Sequence, residues 1–236
     1  MTRNVAALVS KPKREDNSPI VSQNWTAGQA REFLTHVAND RFVAAWRLSL
    51  YGLRRGEVMG LTWDSVDLED AKITVRSTRV VAGREVITSS TKNRKERILT
   101  IGPEVVADLK KLKAQQAKEQ LSLGAVYNPT NLVVVNEDGT PVRPETYSEL
   151  FDRHTKTAGL PRIRLHDLRH TTASLLAAAG VPVVDASAML GHDPVVFQRI
   201  YAHALEEGLR KAGGVLAGLY AVGQKTVLFS ALVKRL

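Results

Sequence analysis

The sequence predicts a mainly helical fold that carries one small three-stranded antiparallel β-sheet, an α+β arrangement in which helices dominate. Three observations predict it. Apolar residues recur at helical spacing before residue 60 and again from Pro103 onward. Between those regions lie three short β-branched runs, AKITVR (71–76), EVITS (85–89) and RILTIG (97–102). Gly- or Lys-rich turns separate the runs, as antiparallel neighbours require.

The elements follow in chain order. Residues 1–24 are polar, basic and interrupted by two prolines, and read as an interdomain linker or flexible N-terminus. Thr26 and Gln29 have the spacing of a capping box ahead of the helical run AREFLTHVAN. RFVAAWRLSLYG is apolar over most of its surface, the mark of a buried helix. After the three strands, helices are expected at PEVVADLKKLKAQQAKEQLS, PETYSELFDRHTKTA, HDLRHTTASLLAAAG and VPVVDASAML. The first two open with proline where a first turn tolerates it, and Gly180 reads as a C-cap. A last helix, DPVVFQRIYAHAL, has Asp193 as N-cap and Pro194 as first helical residue. Residues 25–210 then form one domain, and 211–236 a C-terminal tail in which KTVLFSAL needs something to bury its apolar face.

Composition narrows the function. The 236 residues are 44% hydrophobic, enough for a core, so disorder is excluded. Lys and Arg number 33 against 24 acidic residues, giving a formal charge of +9 and a pI near 9.9. A domain this basic points to a polyanionic partner, nucleic acid first. The absence of cysteine rules out disulfides, thiolate zinc sites and a cysteine nucleophile, and it fits a reducing cytoplasm. The N-terminal apolar run is too short for a signal peptide, and no run approaches a membrane span. A cytoplasmic protein without a membrane partner is expected.

Four polar clusters carry chemistry. In LHDLRH, His166, Arg169 and His170 share a helix face at i, i+3 and i+4. The stretch is close to the zinc-protease pattern H-E-x-x-H, but a permanent cation at Arg169 opposes a divalent metal, and no third ligand follows at the expected spacing. Arginine beside histidine instead suits a phosphate, with His170 read as a packed core residue. In YGLRRGEVMGL, Glu57 stands one turn after Arg54 and can hold its guanidinium, while Arg55 is expected to face solvent. TKNRKER joins two expected strands and reads as a basic hairpin tip, either a solvated loop or a finger towards a nucleic-acid backbone, with Arg94, Lys95 and Arg97 as the candidates for that contact. LGHDPVVFQRIYAH sets His192 nine residues before Tyr201 across a helix break. The tyrosines at 51, 127, 147 and 220 have no comparable polar company.

Together GLRRGEVMGL, TKNRKERILTI, LHDLRHTTASLLAAAG and LGHDPVVFQRIYAH resemble, in order and spacing, the catalytic domain of the tyrosine recombinases of the phage-integrase type, over roughly residues 20 to 210. The resemblance implies a tyrosine-recombinase catalytic-domain fold and a site-specific recombinase that cleaves and rejoins DNA through a 3′-phosphotyrosyl intermediate, with no metal, ATP or other cofactor. It implies Tyr201 as nucleophile, Arg54 and Arg169 as the phosphate clamp and Lys92 as general acid. It further implies that His166 handles the tyrosine proton, that His192 donates to a phosphate oxygen, and that Glu57 supports Arg54. The implied partners are double-stranded DNA at attachment-type sites, a homotetramer on that DNA and accessory DNA-bending proteins, in a bacterial host cytoplasm close to the nucleoid. Members of the family carry a helical core-binding domain upstream, so this chain is expected to be a catalytic-domain fragment or a short member that binds DNA weakly and in a salt-sensitive way. The tail is expected to dock on a neighbouring protomer. Competing readings are a DNA-binding module that keeps the fold without strand cleavage, a type IB topoisomerase-like enzyme, and a metal hydrolase built on HDLRH.

Overall fold

The computed structural model describes residues 24–83, 85–90, 96–191, 194–200 and 213–214. Its helices are α1 (Ala27–His36), α2 (Val43–Leu50), α3 (Arg55–Met59), α4 (Pro103–Leu123), α5 (Pro144–Thr157), α6 (Asp167–Ala178), α7 (Val183–Leu190) and α8 (Pro194–Ile200). The strands are β1 (Val66–Asp67), β2 (Lys72–Val75), β3 (Ser77–Ala82), β4 (Glu85–Ser90) and β5 (Arg97–Thr100). The mainly helical architecture and nearly all expected helix starts are present.

Local chemistry sets the boundaries. Gln29 N donates to Thr26 Oγ1 at 3.2 Å and Thr26 N donates back to Gln29 Oε1 at 2.9 Å, closing the capping box of α1. Thr26→Ala is expected to cost about 1 kcal/mol in urea unfolding; an unchanged midpoint would show that the cap contributes nothing. α4, α5 and α8 begin at Pro103, Pro144 and Pro194. At the end of α6, Gly180 N donates to Ala177 O and Val181 N to Leu176 O, both at 3.0 Å, the paired bonds of a Schellman motif. Asp193 lies outside the described residues.

The sheet differs from expectation in its pairing. It is three-stranded and antiparallel, in the order β1-β2-β5, with Lys72 opposite Thr100 and Val66 opposite Ile73. The run 85–90 is not its third strand. It pairs with β3 in a separate two-stranded ribbon, Ser77 opposite Ser90 and Ala82 opposite Glu85. The tight turn of that ribbon lies beside Gly83, so TKNRKER joins β4 to β5 and is not a hairpin tip. The third strand is Val66–Asp67, too short to leave a period in the sequence.

One large core runs from Trp25 through Phe33, Trp46, Ile73, Leu109 and Phe151 to Leu168. Trp46 stacks on Tyr147 with ring centres 4.2 Å apart. A smaller cluster, Ala173, Ala177, Ala186, Leu190 and Phe197, joins α6, α7 and α8. Helix α6 therefore bridges both, its first turns in the main core and its last turns under α7 and α8. Trp25 N donates to Thr171 Oγ1 at 3.1 Å and its indole N–H to Pro161 O at 2.9 Å, which fixes the entering chain against α6.

Candidate active site

Arg54 sits at the N-cap of α3, a helix that lies against β3. The approach is close because position 56 is glycine: a Cβ there would stand 2.2 Å from Thr78 Oγ1. The expected Arg54–Glu57 pair is present, Arg54 Nη1 donating to Glu57 Oε1 at 2.9 Å and Arg54 N to Oε2 at 2.8 Å. Arg54 Nη2 also donates to Gly191 O at 3.0 Å, at the end of α7. Arg55 is exposed but does not simply face water: its Nη1 donates to Ser148 Oγ on α5 at 3.0 Å.

Arg169, in the first turn of α6, is only 1% exposed. Its Nη1 donates to Gly52 O at 2.5 Å, two residues before Arg54 in the chain. Gly52 is held at φ +87°, and a Cβ there would fall 2.1 Å from Leu190 Cδ2. The Gly-Leu before Arg54 is thus a docking point: it presents a carbonyl to Arg169 and leaves room for α7. Thr172 Oγ1 donates to Leu50 O at 2.6 Å, a second tie between α6 and the end of α2. The acidic neighbour Asp167 does not serve Arg169. It accepts from Arg164 N and Nε on Oδ2 at 2.8 and 3.0 Å, and from Nη2 on Oδ1 at 2.8 Å. Burial pushes the Asp167 carboxyl up, but the Arg164 bonds and charge overcome it and hold it below the usual range.

His166 is at the N-cap of α6, its ring 5.4 Å from that of His170 and nearly perpendicular to it. Burial lowers the pKa of His166, and the charges of His170, Arg169 and Arg54 lower it further. Burial likewise lowers the pKa of His170, with Asp167 opposing and the charges of Arg169 and Arg164 adding to it. His170 is half-buried and belongs to neither core cluster, short of the packed core residue the sequence suggested. His166, Arg169 and Arg54 therefore share one electrostatic neighbourhood, which favours the neutral form of the His166 imidazole.

Glu57 joins this neighbourhood to the sheet. It is 5% exposed and pairs with a second cation, Arg97, whose Nη1 and Nη2 donate to Oε1 and Oε2 at 2.9 and 2.6 Å. Burial pushes the Glu57 carboxyl up; the bonds and charge of Arg97, joined by Arg54, win and hold it at about 2. Arg97 thus turns inward, whereas the sequence grouped it with the backbone-binding candidates Arg94 and Lys95. The signal was available: Arg97 is two residues before the buried Leu99 on β5 and shares its face.

The described tyrosines are held as neutral phenols. Burial raises the pKa of Tyr147 well above its ordinary value, with its OH within 2.9 Å of Ser49 Oγ. Burial and the bond to Glu104 raise that of Tyr51, and burial raises that of Tyr127. Tyr201, Lys92, His192, Arg94, Lys95 and Tyr220 lie outside the described residues. Among the described residues no three His, Asp or Glu side chains gather as a metal-ligand group, and no helix is long and apolar enough to cross a membrane.

Residues 26–207 match the profile described as the phage integrase family. The chain belongs to that family. It is 27% identical over 186 residues to a XerC-like tyrosine recombinase of Caldanaerobacter subterraneus subsp. tengcongensis, an alignment covering 72% of this chain and 47% of that protein. The chain spans about half the length of the curated relatives it matches. Its fold matches that of the Tn1549 transposon integrase solved in complex with transposon right-end DNA, with a TM-score of 0.70 at 22% identity over 86% of this chain and 68% of that one. It also matches the catalytic domain of bacteriophage HP1 integrase, with a TM-score of 0.51 at 22% identity over 80% of this chain and 94% of that one.

Proposed function

We propose that this chain is the catalytic part of a site-specific DNA recombinase that breaks and rejoins strands through a 3′-phosphotyrosyl intermediate. The observation that carries the reading is the shared neighbourhood of Arg54, Arg169 and His166. Burial lowers the proton affinity of the imidazole, the charges of His170, Arg169 and Arg54 lower it further, and Arg54 also reaches the carbonyl of Gly191 at the end of α7. Helix α8 follows α7 at once, and Tyr201 is the next residue after Ile200, its last.

In the proposed step the Tyr201 oxygen attacks the scissile phosphorus while the bond from phosphorus to the 5′ oxygen breaks. His166, neutral beforehand, takes the tyrosine proton; Lys92 supplies a proton to the departing 5′ oxygen. Arg54 and Arg169, with His192, meet the charge that builds on the non-bridging oxygens, which fixed donors stabilise best where water is excluded. Positioned acid–base groups contribute on the order of 10²–10⁴ each. A bound phosphate offsets the two guanidinium charges and lets His166 hold the proton it has taken. Attack by a 5′-hydroxyl on the phosphotyrosine reverses every bond change, so neither ATP nor metal is consumed. The substrate is double-stranded DNA; four chains on two sites, with DNA-bending accessory proteins, complete the proposal.

The test is covalent capture. The chain and its Tyr201→Phe variant are incubated in EDTA with nicked duplexes drawn from DNA flanking its own gene. An SDS-resistant protein–DNA band lost only in Tyr201→Phe is expected. A band that survives the substitution moves the nucleophile elsewhere, and one that requires divalent metal overturns the metal-free step. No band, even with a core-binding domain fused on, favours a DNA-binding module.

A further inference from the structure

We infer that Arg97 is a positioning residue that sets the turn leading into His192, and not a contact to the DNA backbone. The inference rests on the recombinase reading for its effect on rate, but the tether itself does not.

The guanidinium of Arg97 is held from two sides. Its terminal nitrogens grip both oxygens of Glu57, and its Nε donates to Met189 O at 3.1 Å, in the last turn of α7. The side chain is only 13% exposed. Helix α7 has eight residues, and its last carbonyls have no partners within the helix. Arg97 takes that of Met189, Arg54 takes that of Gly191, and the N–H of Gly191 closes on Ala188 O at 3.2 Å. Two cations therefore cap one short helix at its negative end, an arrangement favoured by both hydrogen bonding and the helix dipole. Both are anchored on the same carboxylate, Glu57. Gly191 completes the lock: its φ is +62°, and a Cβ there would stand 3.1–3.3 Å from Nη1, Cδ and Cζ of Arg97.

The consequence is mechanical. Residue 192 follows the clamped turn directly. A shift of β5 or Glu57 passes to Arg54 through its shared carboxylate, and to the turn through Met189. Glu57, which carries Arg54, and the turn that ends at Gly191 keep their spacing because one side chain from the sheet holds both. No ordinary surface arginine has this effect.

The experiment compares wild type, Arg97→Lys, Gly191→Ala and the backbone candidate Lys95→Ala, all as the full chain. Three quantities are read: DNA affinity against salt, single-turnover cleavage of saturated complex, and amide hydrogen exchange of peptides covering residues 188–191 without DNA. Arg97→Lys keeps the charge but loses the planar fork. It is expected to leave affinity and salt slope unchanged, to slow cleavage by up to about 10²-fold as misplaced groups do, and to speed exchange in 188–191 alone. Gly191→Ala, which pushes on the same guanidinium from the other side, reproduces the last two effects and stands in if Arg97→Lys does not fold. Lys95→Ala lowers the salt slope by about 0.9 if it neutralises one phosphate. A clear loss of DNA affinity in Arg97→Lys, or unchanged exchange at 188–191, overturns the inference. Wild type that never cleaves, even with a core-binding domain fused on, overturns the recombinase reading instead, while the exchange result still decides the tether.

Discussion

Glu57→Ala is expected to destabilise the chain by about 3–5 kcal/mol, the cost of leaving buried charges without their partner. Glu57 is 5% exposed and is the shared counter-ion of Arg54 and Arg97, so its removal brings two guanidiniums together with no anion between them. Thermal or urea unfolding reads the loss, and a change below about 1 kcal/mol would mean that water reaches both arginines. Acid titration gives an independent check. The folded carboxyl titrates at about 2, below the ordinary glutamate value, so the unfolded chain binds its proton first. The contribution of Glu57 is therefore complete above about pH 5 and is lost as pH falls towards 2, on the order of 3 kcal/mol in all. Glu57→Gln keeps the shape and removes the titration. Its stability should fall less steeply below pH 5 than that of wild type, by up to one proton. Equal slopes in the two proteins would show that the carboxylate is not the depressed group.

The parts of this site that were legible in the sequence are those made within one helical turn. Thr26 with Gln29, Arg54 with Glu57, and His166 with Arg169 and His170 are separated by three or four residues, and backbone geometry alone brings them to one face. Pro103, Pro144 and Pro194 mark helix starts because a first turn has no use for their missing N–H. What was not legible depends on long-range docking. Arg97 meets Glu57 across 40 residues, and Arg169 meets Gly52 across 117. No local period encodes either contact. The sheet shows the same division: β-branching announced the strands, but their partners were set by a two-residue strand at Val66 and by a ribbon turn at Gly83, while lysine-rich TKNRKER was the more obvious punctuation. Basic residues in one run need not share a role. Arg97 is buried in an ion pair because alternation along β5 turns it towards the side of Leu99, and charge counting ignores that phase.

Arg169→Lys is expected to lower single-turnover DNA cleavage by about 10²–10³-fold, the loss seen when one fixed donor to a developing oxyanion is removed. Charge is conserved in this substitution, so any loss reports geometry. An ammonium is a compact point donor and lacks the planar fork with which Arg169 holds Gly52 O and, in the proposed step, would meet the phosphate. Because Arg169 is almost fully covered, it adds little to long-range attraction, and DNA affinity at moderate salt should remain close to that of wild type. Arg54, with a side chain 27% exposed, is the better placed of the two for first encounter, and Arg54→Lys should weaken both binding and cleavage. The contrast is the test. If Arg169→Lys loses affinity and rate in equal proportion, Arg169 holds substrate and transition state alike and gives no selective stabilisation. If it loses neither, the phosphate lies elsewhere and the meeting of Arg54, Arg169 and His166 is structural. An unfolding midpoint for each variant is needed alongside, since the bond to Gly52 O also ties α6 to the chain entering α3. Rate loss with an unchanged midpoint separates the catalytic contribution from that tie.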